Sequence, residues 1–399
     1  MTVRLSSRAL SISPSATLAI DAKAKQMQNE GVDVITFGVG EPDFDTPEFI
    51  KESAMKALRA GVTKYPPAPG FQDIREAVCK RLLMDHNLSY RPGQIVITCG
   101  AKHGLYNIFQ VLLEPGDEVI LPAPYWVSYS EQVKLAGGVV VPIMTTAAKE
   151  FHLQPEDFAA VITPRTRAVV INSPNNPTGA VYSRDELAAL ADIAVRHDLT
   201  IISDEIYEHL IYDGLKPVSV PALGPEVAAR TLIVNGVSKT YAMTGWRIGY
   251  IAGDETVIKA IGDLQSHSAN ATSFCQKASV EALLGPQEEV EAMRREFQRR
   301  RDHMVTLVRA IPGLSCLKPQ GAFYVFVDMS DLVGRVVGKE SIRDDGHFAR
   351  ILLEEARVAV VPGAGFGAPN YFRLSYAASM EKITEGLARI AALVGGGRG

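Results

Sequence analysis

The sequence predicts an α/β protein: a large domain with a mostly parallel sheet between helices, joined to a smaller α+β domain. Short apolar, β-rich runs alternate with helical patterns through most of the chain, which is how a parallel sheet covered by helices is written. After about residue 285 the alternation gives way to a long charged helix and a few short strands. The length, 399 residues, also exceeds what one hydrophobic core ordinarily organises. These observations divide the chain into an N-terminal segment, 1–45, that packs with the small domain, a large domain, 46–285, and a small domain, 286–399.

Taken in order, Thr46-Pro47 caps and starts a helix that closes at Gly61. The run Ile95 to Thr98 is the first strand, and Gly100-Ala101-Lys102 then opens an apolar helix from Leu105 to Leu113. Glu118 to Leu121 is the next run, with Pro124-Tyr125-Trp126 just beyond it. Ala168 to Ile171 leads into Ser173-Pro174-Asn175-Asn176-Pro177-Thr178-Gly179, where two prolines and a glycine fix a rigid loop. Ser183-Arg184-Asp185-Glu186 is a capping box that opens a helix through about Arg196. Thr200 to Ser203 ends in Asp204-Glu205-Ile206-Tyr207; Thr231 to Val234 ends in Val237-Ser238-Lys239-Thr240; Ile248 to Ile251 follows Arg247. These runs are largely apolar, as expected of strands buried on both faces. In the last third, a helix from roughly Gln287 to Ala310 stops before Pro312-Gly313. A strand from Phe323 to Val327, a helix around His347 to Glu355, two short strands and a closing helix from about Ser379 complete it.

Composition narrows the function. Apolar residues make up 47% and charged residues 22%, as in an ordinary soluble globular protein. With 41 basic against 45 acidic residues the net charge is −4, so no broad basic field recruits nucleic acid. Cys79, Cys99, Cys275 and Cys316 lack metal-like spacing and read as free thiols in a reducing compartment, with no metal site expected. No apolar stretch is long enough to cross a bilayer, which makes a cytoplasmic location and no membrane partner the expectation.

The chemistry sits where strands end. A lysine placed just after an apolar strand, with Asp204, Tyr207 and Arg247 at these offsets in sequence, is suited to holding pyridoxal phosphate: the amine for a Schiff base, the carboxylate for the ring nitrogen, the guanidinium for the phosphate. Gly100-Ala101-Lys102 adds free backbone N–H groups and the positive end of a helix dipole, an anion site. Trp126 offers a face for a heteroaromatic ring, and Asn176 an amide at a strand's carboxyl end, where ligands of open α/β sheets bind.

Further pieces occur in one order: Gly40-Glu41-Pro42-Asp43-Phe44, Lys64-Tyr65, Pro124 to Tyr129, Ser173 to Gly179, Ser203 to Glu208, Ser238-Lys239, Met243 to Tyr250, Gly321 to Tyr324 and Arg373-Leu374-Ser375-Tyr376. Together they resemble the fold-type I pyridoxal-phosphate enzymes, in particular the bacterial branch of the aspartate aminotransferase family, over nearly the whole chain. The resemblance implies a seven-stranded sheet in the large domain and pyridoxal 5'-phosphate as cofactor. It makes Lys239 the Schiff-base lysine and proton carrier, and pairs Asp204 with the ring nitrogen. Tyr207 and Asn176 would bond the cofactor's phenolic oxygen, and Trp126 would stack on its ring. Phosphate contacts would come from Gly100, Ala101, Lys102, Ser238 and Arg247, and from Tyr65 of a neighbouring subunit, since the family shares its sites across a homodimer. Arg373, with Gly40, Trp126 and Asn176, would bind the substrate.

The same resemblance implies a ping-pong cycle between small amino and oxo acids, in which L-aspartate leaves as oxaloacetate and 2-oxoglutarate leaves as L-glutamate. Lys102, helped by Ser15 or Thr17, would take the distal carboxylate; as a solvated lysine at a helix start it carries equal weight. Relatives that also accept prephenate carry a basic residue where this chain has Ser13, so poor prephenate turnover is expected. The rivals are an alanine or aromatic aminotransferase, a carbon–sulfur β-lyase giving pyruvate and ammonia, and a pyridoxal-sensing transcription regulator, which would need a DNA-binding region.

Overall fold

The computed structural model describes residues 3–13 and 16–396. Seven strands form the main sheet: β1 (Ile95–Thr98), β2 (Glu118–Ala123), β3 (Val139–Met144), β4 (Thr166–Asn172), β5 (Thr200–Asp204), β6 (Thr231–Gly236) and β7 (Gly249–Ala252), in the order β1-β7-β6-β5-β4-β2-β3. Six of them run one way. β7 alone is antiparallel to both its neighbours, β1 and β6.

The continuous apolar runs are explained by cover on both faces. Along β2, Val119 and Leu121 face one core and Ile120 the other; along β5, Ile202 and Ile201 divide in the same way. Each such side chain, taken out of water, contributes about 1.5–3 kcal/mol. The capping box forms as expected: Ser183 Oγ accepts from the Glu186 amide, Glu186 accepts from the Ser183 amide, and the helix runs Arg184–Arg196. The helix after Thr46 differs from expectation. Its cap is Pro47, it spans Glu48–Arg59, and the Thr46 hydroxyl donates instead to Ala242 O at 2.7 Å. Gly61 does follow that helix in the left-handed region, at φ +77°. β3 is a strand that the periodicity did not single out.

A second, four-stranded antiparallel sheet holds Tyr324–Asp328 and Tyr371–Ser375 side by side, with Phe326 opposite Arg373. The core beneath it contains Phe323, Val325, Phe372 and Leu374, and it also takes in Ile35 and Phe37 from the N-terminal segment and Tyr207, Leu210 and Tyr212 from the segment after β5. Ile35–Thr36 pairs in parallel with Val358–Ala359, so the start of the chain is tied to its end. The segment that follows β5 is thereby anchored from both sheets. Among the described residues no helix is long and apolar enough to cross a membrane.

Candidate active site

A cleft of about 510 Å³ opens at the carboxyl ends of the parallel strands, the ligand edge of an open α/β sheet. Each strand delivers its residue there by ending. β2 leads to Trp126, β4 to Asn176, β5 to Asp204 and Tyr207, and β6 to Ser238 and Lys239. Arg247 arrives differently. Because β7 is reversed, its beginning lies at the edge where the other strands finish, and Arg247 precedes it in the left-handed region at φ +57°. Gly249 permits the close approach of β7 to the helix start after β1: a Cβ there would collide with the Ala101 amide.

Lys239 is held by the Gly40 carbonyl, to which Nζ donates at 2.5 Å. Burial pushes its pKa down to about 8, with Arg247, Arg373 and Lys102 adding to the fall and Glu41 opposing it. Asp204 is 3% exposed, and burial lifts its carboxyl to about 6 although two hydrogen bonds pull the other way. The shorter comes from Tyr129 Oη, which donates to Asp204 Oδ2 at 2.5 Å. Asn172 Nδ2 donates to the Asp204 carbonyl at 2.9 Å, and its Oδ1 accepts from the Asn176 amide at 2.8 Å. One asparagine thus links the two strand ends.

A second chain of contacts leads to Arg373. Tyr207 Oη lies 2.9 Å from Tyr324 Oη and 3.5 Å from Asn176 Nδ2, which donates to it. Asn176 Oδ1 accepts from Arg373 Nη1 at 2.9 Å, and the Gly38 carbonyl accepts from Nη2 at 2.9 Å. The guanidinium is stacked 4.3 Å from the Tyr324 ring and is 1% exposed, and its Nε has no acceptor among the described residues. A buried donor of this kind is costly unless something brings an acceptor. Lys102 sits in the first turn of its helix, 5.0 Å from the centre of the Trp126 ring, and burial lowers its pKa, assisted by Arg247.

These residues test whether the cofactor suggested by the sequence fits. Five cationic side chains, those of Lys25, Lys102, Lys239, Arg247 and Arg373, line the cleft against the two carboxylates of Glu41 and Asp204. In a chain with net charge −4 this local excess suits a phosphate and a substrate carboxylate together. Of these two carboxylates Asp204 is the deeply buried one, and it has no cation in hydrogen-bond contact among the described residues, which suits a protonated ring nitrogen.

The cleft gathers Gly40, Ala101, Lys102, Trp126, Asn176, Asp204, Tyr207, Ser238, Lys239, Arg247 and Arg373. Gly100 caps the adjoining helix, with its carbonyl turned to Thr98. Tyr65 does not line the cleft: it is 95% exposed and borders a separate hollow with Lys64, Asn270 and Ser273. Ser15 lies outside the described residues, and Thr17 lies in the helix Ala16–Asn29 with its side chain outside the description. Tyr129, Tyr324 and Asn172 are in the site without having been assigned a part in it.

Residues 32–390 match the model of a family described as aminotransferase class I and II. An aspartate aminotransferase from Geobacillus stearothermophilus is 50% identical over 97% of this chain and 98% of its own length. An aspartate/prephenate aminotransferase from Thermus thermophilus is 46% identical over 98% and 99%. Among solved structures, the aspartate aminotransferase from Rhizobium meliloti superposes with a TM-score of 0.95 at 44% identity, covering 99% of both chains. The fold and the cleft define a fold-type I transferase. The chain belongs to the aminotransferase class I and II family.

Proposed function

We propose that this chain is a pyridoxal-phosphate-dependent aspartate aminotransferase, moving the amino group of L-aspartate to 2-oxoglutarate and giving oxaloacetate and L-glutamate. The observation that carries the reading is a pair of cations in one cleft with a buried lysine: Arg373 on a strand for the α-carboxylate, Lys102 on a helix start for the distal one. Near-half identity to several aspartate aminotransferases over almost the full chain supports the same substrate.

Pyridoxal phosphate, when bound, supplies the aldehyde that exchanges with the amino group and the ring that takes up the electrons left on the α-carbon. Arg247, Ser238 and the amides at Ala101 and Lys102 would hold its phosphate, Trp126 its ring face, Tyr207 and Asn176 its phenolic oxygen. Asp204, oriented by Tyr129, would hold a proton on the ring nitrogen. Lys239 would take the proton from the substrate α-carbon at Nζ, and a pKa near 8 suits an amine that must both accept and return a proton near neutrality. Tyr65, exposed in the single chain, would reach the phosphate of a second copy in a homodimer.

Ser13 brings no cation; its amide is bound to Glu131 Oε2 at 3.0 Å. Poor turnover of prephenate follows, despite relatives whose names include it. Steady-state rates of the cofactor-loaded enzyme with 2-oxoglutarate and aspartate, alanine, phenylalanine or prephenate test the proposal. Aspartate is expected to have the highest kcat/KM. A higher value for alanine or prephenate, or pyruvate and ammonia from a cysteine conjugate, would reject it.

A further inference from the structure

The segment after β5 alternates its chemistry. Asp204 and Tyr207 line the cleft, while Glu205 and Glu208 lie behind it, away from any substrate. Glu208 is 5% exposed and engaged on both oxygens: Oε2 lies 2.6 Å from His86 Nε2, and Oε1 accepts from Asn235 Nδ2 at 2.6 Å. Asn235 belongs to β6, the strand that delivers Ser238 and Lys239, and its own Oδ1 accepts from the Gly236 amide. His86 ends the helix Gln72–His86 on the far side. One carboxylate therefore ties three elements together directly behind the cofactor end of the cleft.

We propose that Glu208 and His86 are positioning residues, which fix the turn bearing Asp204 and Tyr207 against the strand that delivers Lys239. The turn has few other side-chain restraints toward that strand. Its backbone meets β6 through the Glu205 amide and the Val234 carbonyl, 2.9 Å apart, and then folds on itself through Glu208 N to Glu205 O and Leu210 N to Tyr207 O. Without Glu208 the segment from Ile206 to Leu210 would be tied to β6 only at its beginning. A shift of about 1 Å there would displace the Tyr207 hydroxyl from its partners, and errors of that size cost roughly 100-fold in rate.

The cluster is built as an ion pair. Burial drives the His86 pKa down, but the bond to Glu208 and its charge prevail and leave it at about 9. Glu208 stays below the usual carboxylate range because His86 and His209 outweigh its burial. Asp85 and Arg81 from the same helix, His209 and Glu205 from the turn, and Tyr241 and Tyr250 from the segments around β7 face this pair. Asp85, His86 and Glu208 are close enough to share a metal ion, yet Arg81 already forks onto Asp85 and His86 already occupies Glu208. The donors are spent on each other.

The inference rests on the aminotransferase reading, and its test separates the two. Glu208→Gln keeps the shape and leaves a neutral pair where a neutral ion pair stood; Asn235→Ser removes the strand contact and leaves the ion pair intact. For each variant the visible absorbance of the cofactor-loaded enzyme is titrated with pH, without substrate, and kcat and KM for aspartate are measured. The expected result is a displaced titration midpoint in both variants and a kcat lower by about 10- to 100-fold, with KM little changed. Folded, cofactor-loaded variants with the wild-type midpoint and kcat would overturn the proposal. Should Glu208→Gln fail to fold, Asn235→Ser decides alone by the same readings. Absence of aspartate turnover in the wild-type enzyme would reject the function, while the absorbance titration would still decide the clamp.

Discussion

Arg373 and Lys102 are both cations of one cleft, and the chain builds them in opposite ways. Arg373 projects from the middle of a strand, is 1% exposed, is bound at Nη1 and Nη2, and is stacked on Tyr324 and, at 5.2 Å, near Phe366. Lys102 is exposed in the first turn of a helix, and its ammonium lies 5.0 Å from the centre of the Trp126 ring. A planar fork locked in place suits a group that every substrate presents in the same position. A flexible ammonium on a long stem suits the part that differs between substrates. On the proposed reading, the difference makes recognition of the amino acid as a class separable from recognition of its side chain.

The largest effect should come from the rigid partner. Arg373→Ala should lower kcat/KM by about 100- to 1000-fold for aspartate and alanine alike, as expected when one side of a buried charged contact is removed. A loss confined to aspartate would exchange the two roles. Lys102→Ala comes next: a loss of about 10- to 100-fold on aspartate, with alanine little changed. Equal losses on both would defeat the distinction.

The pH dependence sharpens the same contrast. Burial lowers the Lys102 pKa, with Arg247 adding to the fall, so its ammonium is lost, as pH rises, earlier than that of an ordinary lysine. KM for aspartate should therefore climb on the alkaline side more steeply than KM for alanine in parallel pH series. Parallel curves would remove Lys102 from the distal carboxylate. The smallest effect belongs outside the cleft. Ser183→Ala breaks the capping box and should cost about 1 kcal/mol of stability in a melting experiment, with kcat unaltered for either substrate.

Much of the site could be read from the sequence because strand ends are sharply marked. Asp204, Lys239 and Asn176 each follow an unbroken apolar run, and an open sheet brings such positions to one edge. Tyr129 was missed for a physical reason. It sits in the first turn of a helix amid Trp126, Tyr125 and Val133, where a tyrosine reads as core, and only the fold brings its hydroxyl to Asp204. Tyr324 is hidden likewise inside an apolar strand. β3 escaped because Pro142 interrupts it and five of its six residues are half-buried or exposed, as an edge strand allows. The reversal of β7 is not written in its own composition; the sequence placed Arg247 in the site through its motif, and the antiparallel pairing explains how it arrives.

Aspartate recognition is tested most directly by a single turnover. Cofactor-loaded enzyme is mixed with L-aspartate alone, and in a second sample with L-alanine alone, and the released oxo acid is measured before any acceptor is added. Rapid release of one oxaloacetate per site, with pyruvate released far more slowly and that advantage abolished by Lys102→Ala, is the predicted result. Release of pyruvate as fast as oxaloacetate, or an advantage that survives the loss of Lys102, would contradict it.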